Sequence, residues 1–509
     1  MKALAAGLAA LTLLATACAA GDDPTVVAPS ATASAAASSA TASAAAAPPA
    51  PAASVPAPTW KPCEDGFECA VLPVPLVEGD AAAGTVDLAL TRRPAPDRAR
   101  RLGSLVVNPG GPGASAIGFL QAAWTSIPER VRARFDLVAF DPRGVGRTAP
   151  VRCGTTAQLD AYFRIDPSPD DAAELTALQR GNTAFVAGCE QRAGDLLEHV
   201  STADAAADLD RVRAAVGDQR LTYLGYSYGT SIGAAYLDAY PRRVRAMVLD
   251  GALDPALTWE GLLRGQSSGF DDALDAFLTD CQRTGCAFRQ AVEGDLGEAY
   301  DALAARVDRT PLPAGGRSLG PGEFSLGVGA GLYDRAQGWP LIASALSDAQ
   351  GGDGRVLLAL SDGYLRRDDQ GYANISEANT AVNCLDRSWP RDRAAYVALA
   401  ERVRKDSPRF GPAIALSGLS CADWPVPARG TPHRVRGTGA PPVVVIGTTG
   451  DPATPYAWSV RLARQLDRGV LLTHVGEGHT VYRADAPECL LDPVDAYLVK
   501  GRVPSATRC

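Results

Sequence analysis

From Trp60 onward, short apolar runs alternate with stretches whose apolar residues recur at helical spacing. The runs at 105–107, 137–140, 221–224, 246–249, 443–446 and 470–473 are too short for buried helices and carry no polar alternation. They read as strands covered on both faces, the signature of a mostly parallel α/β sheet. Two β-rich runs precede them, at 69–76 and 85–91, and predict an antiparallel start to the sheet. Residues 201–216 place Leu209, Val212 and Ala215 on one face of a helix that feeds the strand at 221–224. From about 253 to 429 the strand rhythm stops. Phe270, Leu274, Phe277, Leu278 and Cys281 recur at helical intervals, as do Tyr300, Leu303 and Val307. The pattern predicts a core made of residues 60–252 and 430–509, with a helical cap inserted at 253–429.

The region ahead of Trp60 has a different character. Met1-Lys2 precedes an apolar run over residues 3–14 and then Ala15-Thr16-Ala17-Cys18, which fits a signal peptide over residues 1–17. Two cleavage readings compete: a lipoprotein site that makes Cys18 the acylated N-terminus, and ordinary cleavage near Ala17 or Ala19. Residues 18–59 are almost entirely Ala, Ser, Pro, Thr and Val and cannot bury a core, so they read as a disordered tether. The chain is thus expected to be exported. If Cys18 is acylated, it would sit on the outer leaflet of the cytoplasmic membrane.

Cysteine usage agrees with export. Setting Cys18 aside leaves ten, which pair by sequence neighbourhood as Cys63 with Cys69, Cys153 with Cys189, Cys281 with Cys286, Cys384 with Cys421, and Cys489 with Cys509. Sequence does not prove that connectivity, but an even set in an exported chain favours disulfides over metal. There is no C-x-x-C, and His199, His433, His474 and His479 lie far from paired cysteines, so no metal or cofactor is expected. The 509 residues carry a net charge of −8 with no basic cluster, which argues against nucleic acid as a partner.

The chemistry centres on Gly225-Tyr226-Ser227-Tyr228-Gly229, a G-x-S-x-G between a strand and a helix that starts with small side chains. That context holds a serine on a strained turn with its hydroxyl exposed. Serine needs a base and a carboxylate, which in this arrangement come later in the chain as Asp, then His. Asp451 follows the strand at 443–446 in Gly447-Thr448-Thr449-Gly450-Asp451-Pro452, and His479 follows the next strand in Gly476-Glu477-Gly478-His479. Each alone has an ordinary reading, Asp451 as a turn former and His479 as a loop residue. Together, in order and each past a strand end, they reinforce one another. His474 lies at a strand end where a structural role fits better, and His199 and His433 break the order. Asn108-Pro109-Gly110-Gly111-Pro112-Gly113 offers a glycine-rich loop for an oxyanion, with Tyr228 N–H as second donor. Asp141 and Arg143, in Asp141-Pro142-Arg143-Gly144, are expected to pair and brace that loop.

The set NPGGPG, DPRGVGR, STADAAADLDRVRAAVG running into GYSYGT, then GDPATP and GEGH, resembles the secreted tripeptidyl aminopeptidase-like α/β-hydrolases. These are related to the prolyl aminopeptidases and to cell-envelope serine proteases and carboxylesterases. The resemblance spans roughly residues 60–509. It implies an α/β-hydrolase fold with a mostly parallel central sheet and an inserted helical cap. It further implies nucleophile Ser227, acid Asp451, base His479, oxyanion donors Gly111 and Tyr228, no cofactor, and peptide substrates with free N-termini. Pro109 stands where prolyl aminopeptidases have histidine, which leaves Gly110 as a rival to Gly111.

A free N-terminus calls for a carboxylate near the cap. Glu260 and Asp386 lie in that region, though solvent-facing surface charge is the simpler reading of each. The motifs serve small esters as readily as peptides, so a carboxylesterase or an endopeptidase of the cell envelope are the alternatives. A non-catalytic binding lipoprotein is the distant one.

Overall fold

The computed structural model describes residues 55–509, so the segments expected to be a signal peptide and a tether, with Cys18, lie outside the described residues but for residues 55–59. Val55 and Trp60 pack against the core, so core packing includes a residue ahead of the boundary expected at Trp60.

A ten-stranded sheet organises the fold. Its first seven strands are β1 (Lys61–Glu64), β2 (Phe67–Val77), β3 (Asp80–Arg93), β4 (Gly103–Asn108), β5 (Phe135–Phe140), β6 (Leu221–Tyr226) and β7 (Val244–Asp250). Two hairpins of the cap follow, β8 (Leu312–Ala314) with β9 (Arg317–Leu319), and β10 (Arg367–Asp368) with β11 (Gly371–Tyr372). The sheet resumes with β12 (Val443–Gly450), β13 (Gly469–Glu477) and β14 (Thr507–Arg508). The spatial order is β1-β2-β3-β5-β4-β6-β7-β12-β13-β14. Pairing is antiparallel from β1 to β5 and parallel from β5 to β14. All six runs anticipated as buried strands are strands, and the antiparallel start is present.

Why these runs form strands follows from what covers them. Every residue of β4, β5 and β6 is buried. Along each strand, alternate side chains enter different apolar clusters. Val106, Val138 and Tyr223 join one, with Leu209 and Val212 of the helix Thr202–Ala215. Leu105, Val107, Leu137 and Leu224 join the other, with Leu490 and Val494 of the helix Glu488–Lys500. Period-two alternation between two dry faces requires apolar residues at every position, hence the continuous runs.

The cap has its own core, in which Leu274, Phe277, Leu303, Val328, Ile342 and Leu357 pack together. It is larger than expected. The helices Thr156–Arg164 and Ala172–Ala193, between β5 and β6, pack with it rather than with the sheet. Phe185 and Val186 share a cluster with Leu385 and Trp424, and Leu178 shares one with Leu263 and Leu399. The cap therefore has two segments, not the single stretch 253–429. Five disulfides join the ten cysteines as paired by neighbourhood. Among the described residues, no helix is long and apolar enough to cross a membrane.

Candidate active site

The turn after β6 closes only because glycine flanks it. A Cβ on Gly225 would stand 2.5 Å from the Gly229 carbonyl oxygen, and one on Gly229 would stand 2.6 Å from the Asn108 carbonyl oxygen. Between them Ser227 adopts φ +52°, a left-handed conformation that costs a non-glycine residue on the order of 1 kcal/mol or more. Its N–H donates to the Asp250 carbonyl at 2.9 Å, and the helix Gly229–Ala239 starts two residues on.

The loop after β4 lies against this turn. Gly110 N–H donates to Asn108 Oδ1 at 2.9 Å, and a Cβ on Gly110 would stand 2.8 Å from both Ser227 Cβ and Tyr228 N. Gly110 is thus the contact residue and its amide is occupied. Among the described residues, the Gly111 and Tyr228 N–H groups have no protein acceptor. Gly111 and Tyr228 border the cavity into which Ser227 opens. Two unpaired amides flanking a serine are what a developing oxyanion requires.

Asp451 and His479 meet as their strand-end positions suggest. His479 Nδ1 donates to Asp451 Oδ1 and Oδ2 at 2.8 and 2.9 Å. Asp451 is fixed in turn by the amides of Ala453 and Thr454 at 3.0 and 2.9 Å and by the Thr454 hydroxyl at 3.0 Å. Burial opposes charging of His479, but the Asp451 carboxylate outweighs it and raises the imidazole above its usual value. The ring edge carrying Cε1 lies over Gly251, where a Cβ would come within 3.1 Å, beside the Asp250 carbonyl that holds Ser227. Nε2 is buried without a hydrogen-bond partner. Such contacts are commonly long in unliganded sites and tighten with substrate.

Asp250 is a site residue that sequence reasoning missed. Its Oδ2 accepts the amides of Val481 and Tyr482 at 2.8 and 2.7 Å, holding the segment just after His479. Burial pushes its carboxyl up to about 6, against those two bonds. The signal was available, since Asp250 stands at the end of β7 before a glycine, as Asp451 stands after β12.

Asp141 and Arg143 do not pair with each other. Asp141 accepts Ser115 Oγ at 2.8 Å and the amides of Ile117 and Arg147 at 3.1 and 2.8 Å, so it ties the glycine loop's following helix to the turn after β5 without Arg143. Arg143 turns to Asp208, donating from Nε and Nη2 at 2.8 Å each, and also to the carbonyls of Pro75 and Leu76. The strand end places consecutive polar side chains toward different neighbours, which proximity in sequence hides.

The other histidines do not pair with Asp451, though His433 borders the cavity. His433 contacts Asp238 at 3.0 Å in an exposed position, His199 is near Arg429, and His474 lies within β13. Glu260 forms surface ion pairs with Arg264 and Arg402. Asp386 corrects the surface-charge reading. It borders the cavity, where its carboxylate accepts the amide and hydroxyl of Thr202. The Thr202 hydroxyl also meets the Tyr228 phenol at 2.7 Å.

The cavity above Ser227 measures about 780 Å³ and is walled by both cap segments, with Phe163, Leu263, Phe270, Tyr333, Phe410 and Trp389 among its apolar residues. A strained serine, a buried Asp–His pair, two free amides and a capped cavity define a serine hydrolase of the α/β-hydrolase class.

Comparison with known proteins agrees. The family descriptions "alpha/beta hydrolase fold" and "TAP-like protein" match residues 103–301 and 407–509. Serine protease Hip1 of Mycobacterium tuberculosis is 40% identical over 88% of this chain and 90% of its own length. Carboxylesterase B of the same species is 38% identical over 89% and 90%. Tripeptidyl aminopeptidase of Streptomyces lividans is 32% identical over 80% and 76%. The chain belongs to the tripeptidyl aminopeptidase-like family of α/β-hydrolases.

Proposed function

We propose that this chain is an exported serine peptidase that releases short peptides, tripeptides foremost, from free N-termini. The observation that carries the reading is that Ser227 and Asp386 border one capped cavity, a nucleophile and a carboxylate able to receive an ammonium group. In this mechanism His479 Nε2 takes the Ser227 proton and the alkoxide attacks the peptide carbonyl carbon. The Gly111 and Tyr228 amides hold the tetrahedral oxyanion. Imidazolium returns the proton to the leaving amine, the C–N bond breaks, and water repeats the sequence on the acyl-enzyme. Asp451 fixes the tautomer and stabilises the imidazolium. Support for export comes from the signal-like N-terminus and from five disulfides, which persist in oxidising compartments. Acylation of Cys18 would hold the enzyme on the outer leaflet of the cytoplasmic membrane.

The apolar cavity walls and the carboxylesterase relative favour a second reading, hydrolysis of small esters. A substrate panel separates the two: free and N-acetylated tripeptide-coumarins beside p-nitrophenyl esters, with Ser227→Ala as control. Cleavage of free but not acetylated tripeptides is the expected result. Turnover of esters alone would replace the peptidase reading with an esterase.

A further inference from the structure

A file of hydrogen-bonded polar side chains crosses the cavity along the helix Ile375–Asp386. At one end Asn379 Nδ2 donates to the carbonyl of Pro112, in the loop that flanks Ser227, at 3.3 Å. Asn383 Nδ2 donates to Asn379 Oδ1 at 3.0 Å, and Arg387 Nη1 donates to Asn383 Oδ1 at 3.1 Å. All three residues border the cavity. The file therefore starts at the oxyanion loop and terminates in a guanidinium.

That guanidinium is incompletely satisfied. Arg387 Nε is buried without any hydrogen-bond partner, and Asn383 supplies a neutral acceptor only. Among the described residues Arg387 enters no ion pair, whereas the buried Arg143 is matched by Asp208. Its neighbour Asp386 directs both carboxylate oxygens to Thr202. Burial disfavours the charged guanidinium, with Asp386 and Tyr228 only partly compensating. A shielded cation that faces a ligand cavity with a buried donor unused and no direct ion pair is suited to an anion from the ligand.

We propose that Arg387 makes this end of the cavity a carboxylate-binding subsite, so that the preferred peptides carry an acidic group three to four residues from the scissile bond. The spacing follows from the helix. From Asn379 to Arg387 it rises about 12 Å, and an extended peptide covers about 3.3 Å per residue. The asparagines offer amide groups for the intervening backbone, and the planar guanidinium matches a carboxylate bidentately. The carboxylate could come from an Asp or Glu side chain on the acyl side or from the peptide's own C-terminus. This inference rests on the peptidase reading of the cavity.

Calorimetric titration of the Ser227→Ala protein tests it without needing turnover. Asp-Ala-Ala-Ala-Ala and Asn-Ala-Ala-Ala-Ala are compared, each as C-terminal acid and as C-terminal amide. Tighter binding of the Asp peptide by about tenfold or more, lost in Ser227→Ala/Arg387→Gln and retained in sign in Ser227→Ala/Arg387→Lys, supports a side-chain subsite. Tighter binding of the acid over the amide with the same dependence on Arg387 supports the subsite with the C-terminus as its ligand. Equal binding of all four peptides overturns the inference, as does a preference that survives Arg387→Gln. Equal binding within the Arg387 protein overturns the inference even where Arg387→Gln fails to fold, and weakened binding by Arg387→Lys then carries the assignment. Failure of the peptidase reading appears separately, as absence of amide turnover by the unsubstituted enzyme.

Discussion

Gly110 rests directly against Ser227, with no room for a side chain between them. A Cβ there would stand 2.6 Å from the Tyr226 carbonyl oxygen and 2.8 Å from both Ser227 Cβ and Tyr228 N. It would also have to exist at φ +97°. Two atoms of the proposed machinery, the nucleophile and an oxyanion donor, are thus positioned by the absence of one methyl group.

Gly110→Ala should displace the Tyr228 amide and lower kcat/KM by about 100-fold or more, the scale of losing one oxyanion donor. Gly363→Ala is the matched control. It lies on the exposed face of the helix Arg355–Leu365 with nothing near its would-be Cβ, and should leave activity unchanged. Steady-state kinetics on both variants, with thermal melts to compare folding, checks the contrast.

The pH profile follows from His479. Catalysis by the base requires neutral imidazole, and Asp451 raises its pKa despite burial. The acid limb of kcat/KM should therefore lie above the usual histidine value of about 6.5. Asp451→Asn removes the charge that favours imidazolium, so the residual activity should show its acid limb at lower pH, with kcat down by about 10⁴. A limb that stays in place in this variant would assign the titration to another group, Asp250 being the nearest.

The Arg143–Asp208 pair is buried, with side-chain exposures of 3% and 0%. Removing Arg143 leaves the Asp208 carboxylate in a dry interior with only a 3.7 Å contact to Arg211, and burial already raises that carboxyl. Arg143→Met should destabilise the protein by about 3–5 kcal/mol. Arg143→Met/Asp208→Leu should recover most of that loss, because the unpaired charge is gone. Denaturant titration of both proteins reads the coupling.

Two disulfides, Cys153–Cys189 and Cys384–Cys421, hang on one apolar cluster shared by the two cap segments. They close loops with sequence separations of 36 and 37. Loop-closure entropy assigns each about 4 kcal/mol. Cys384→Ser/Cys421→Ser should therefore loosen the cap first, seen as earlier proteolytic cleavage within residues 156–198 and 253–429 while the sheet stays intact.

The sheet was legible because strands buried on both faces leave nothing but apolar residues to read. Ser227, Asp451 and His479 were legible because each sits at a strand end beside glycine. The first cap segment was not: the helix Ala172–Ala193 buries Asn182 and Gly188 beside Phe185, so its inward face does not stand out by apolarity. Asp386 reads as surface charge in sequence, since only the packing of two distant insertions encloses it. The pairings of Asp141 and Arg143 depend on β5 ending between several neighbours, which spacing along the chain does not encode.

The most direct measurement of the central claim is covalent labelling of residues 55–509 by a fluorophosphonate, with the modified peptide identified by mass spectrometry. The account predicts one label per chain, on Ser227, absent in Ser227→Ala and much slower in His479→Ala, with both variants folded. A label on another serine, or a folded protein that takes none, would contradict it.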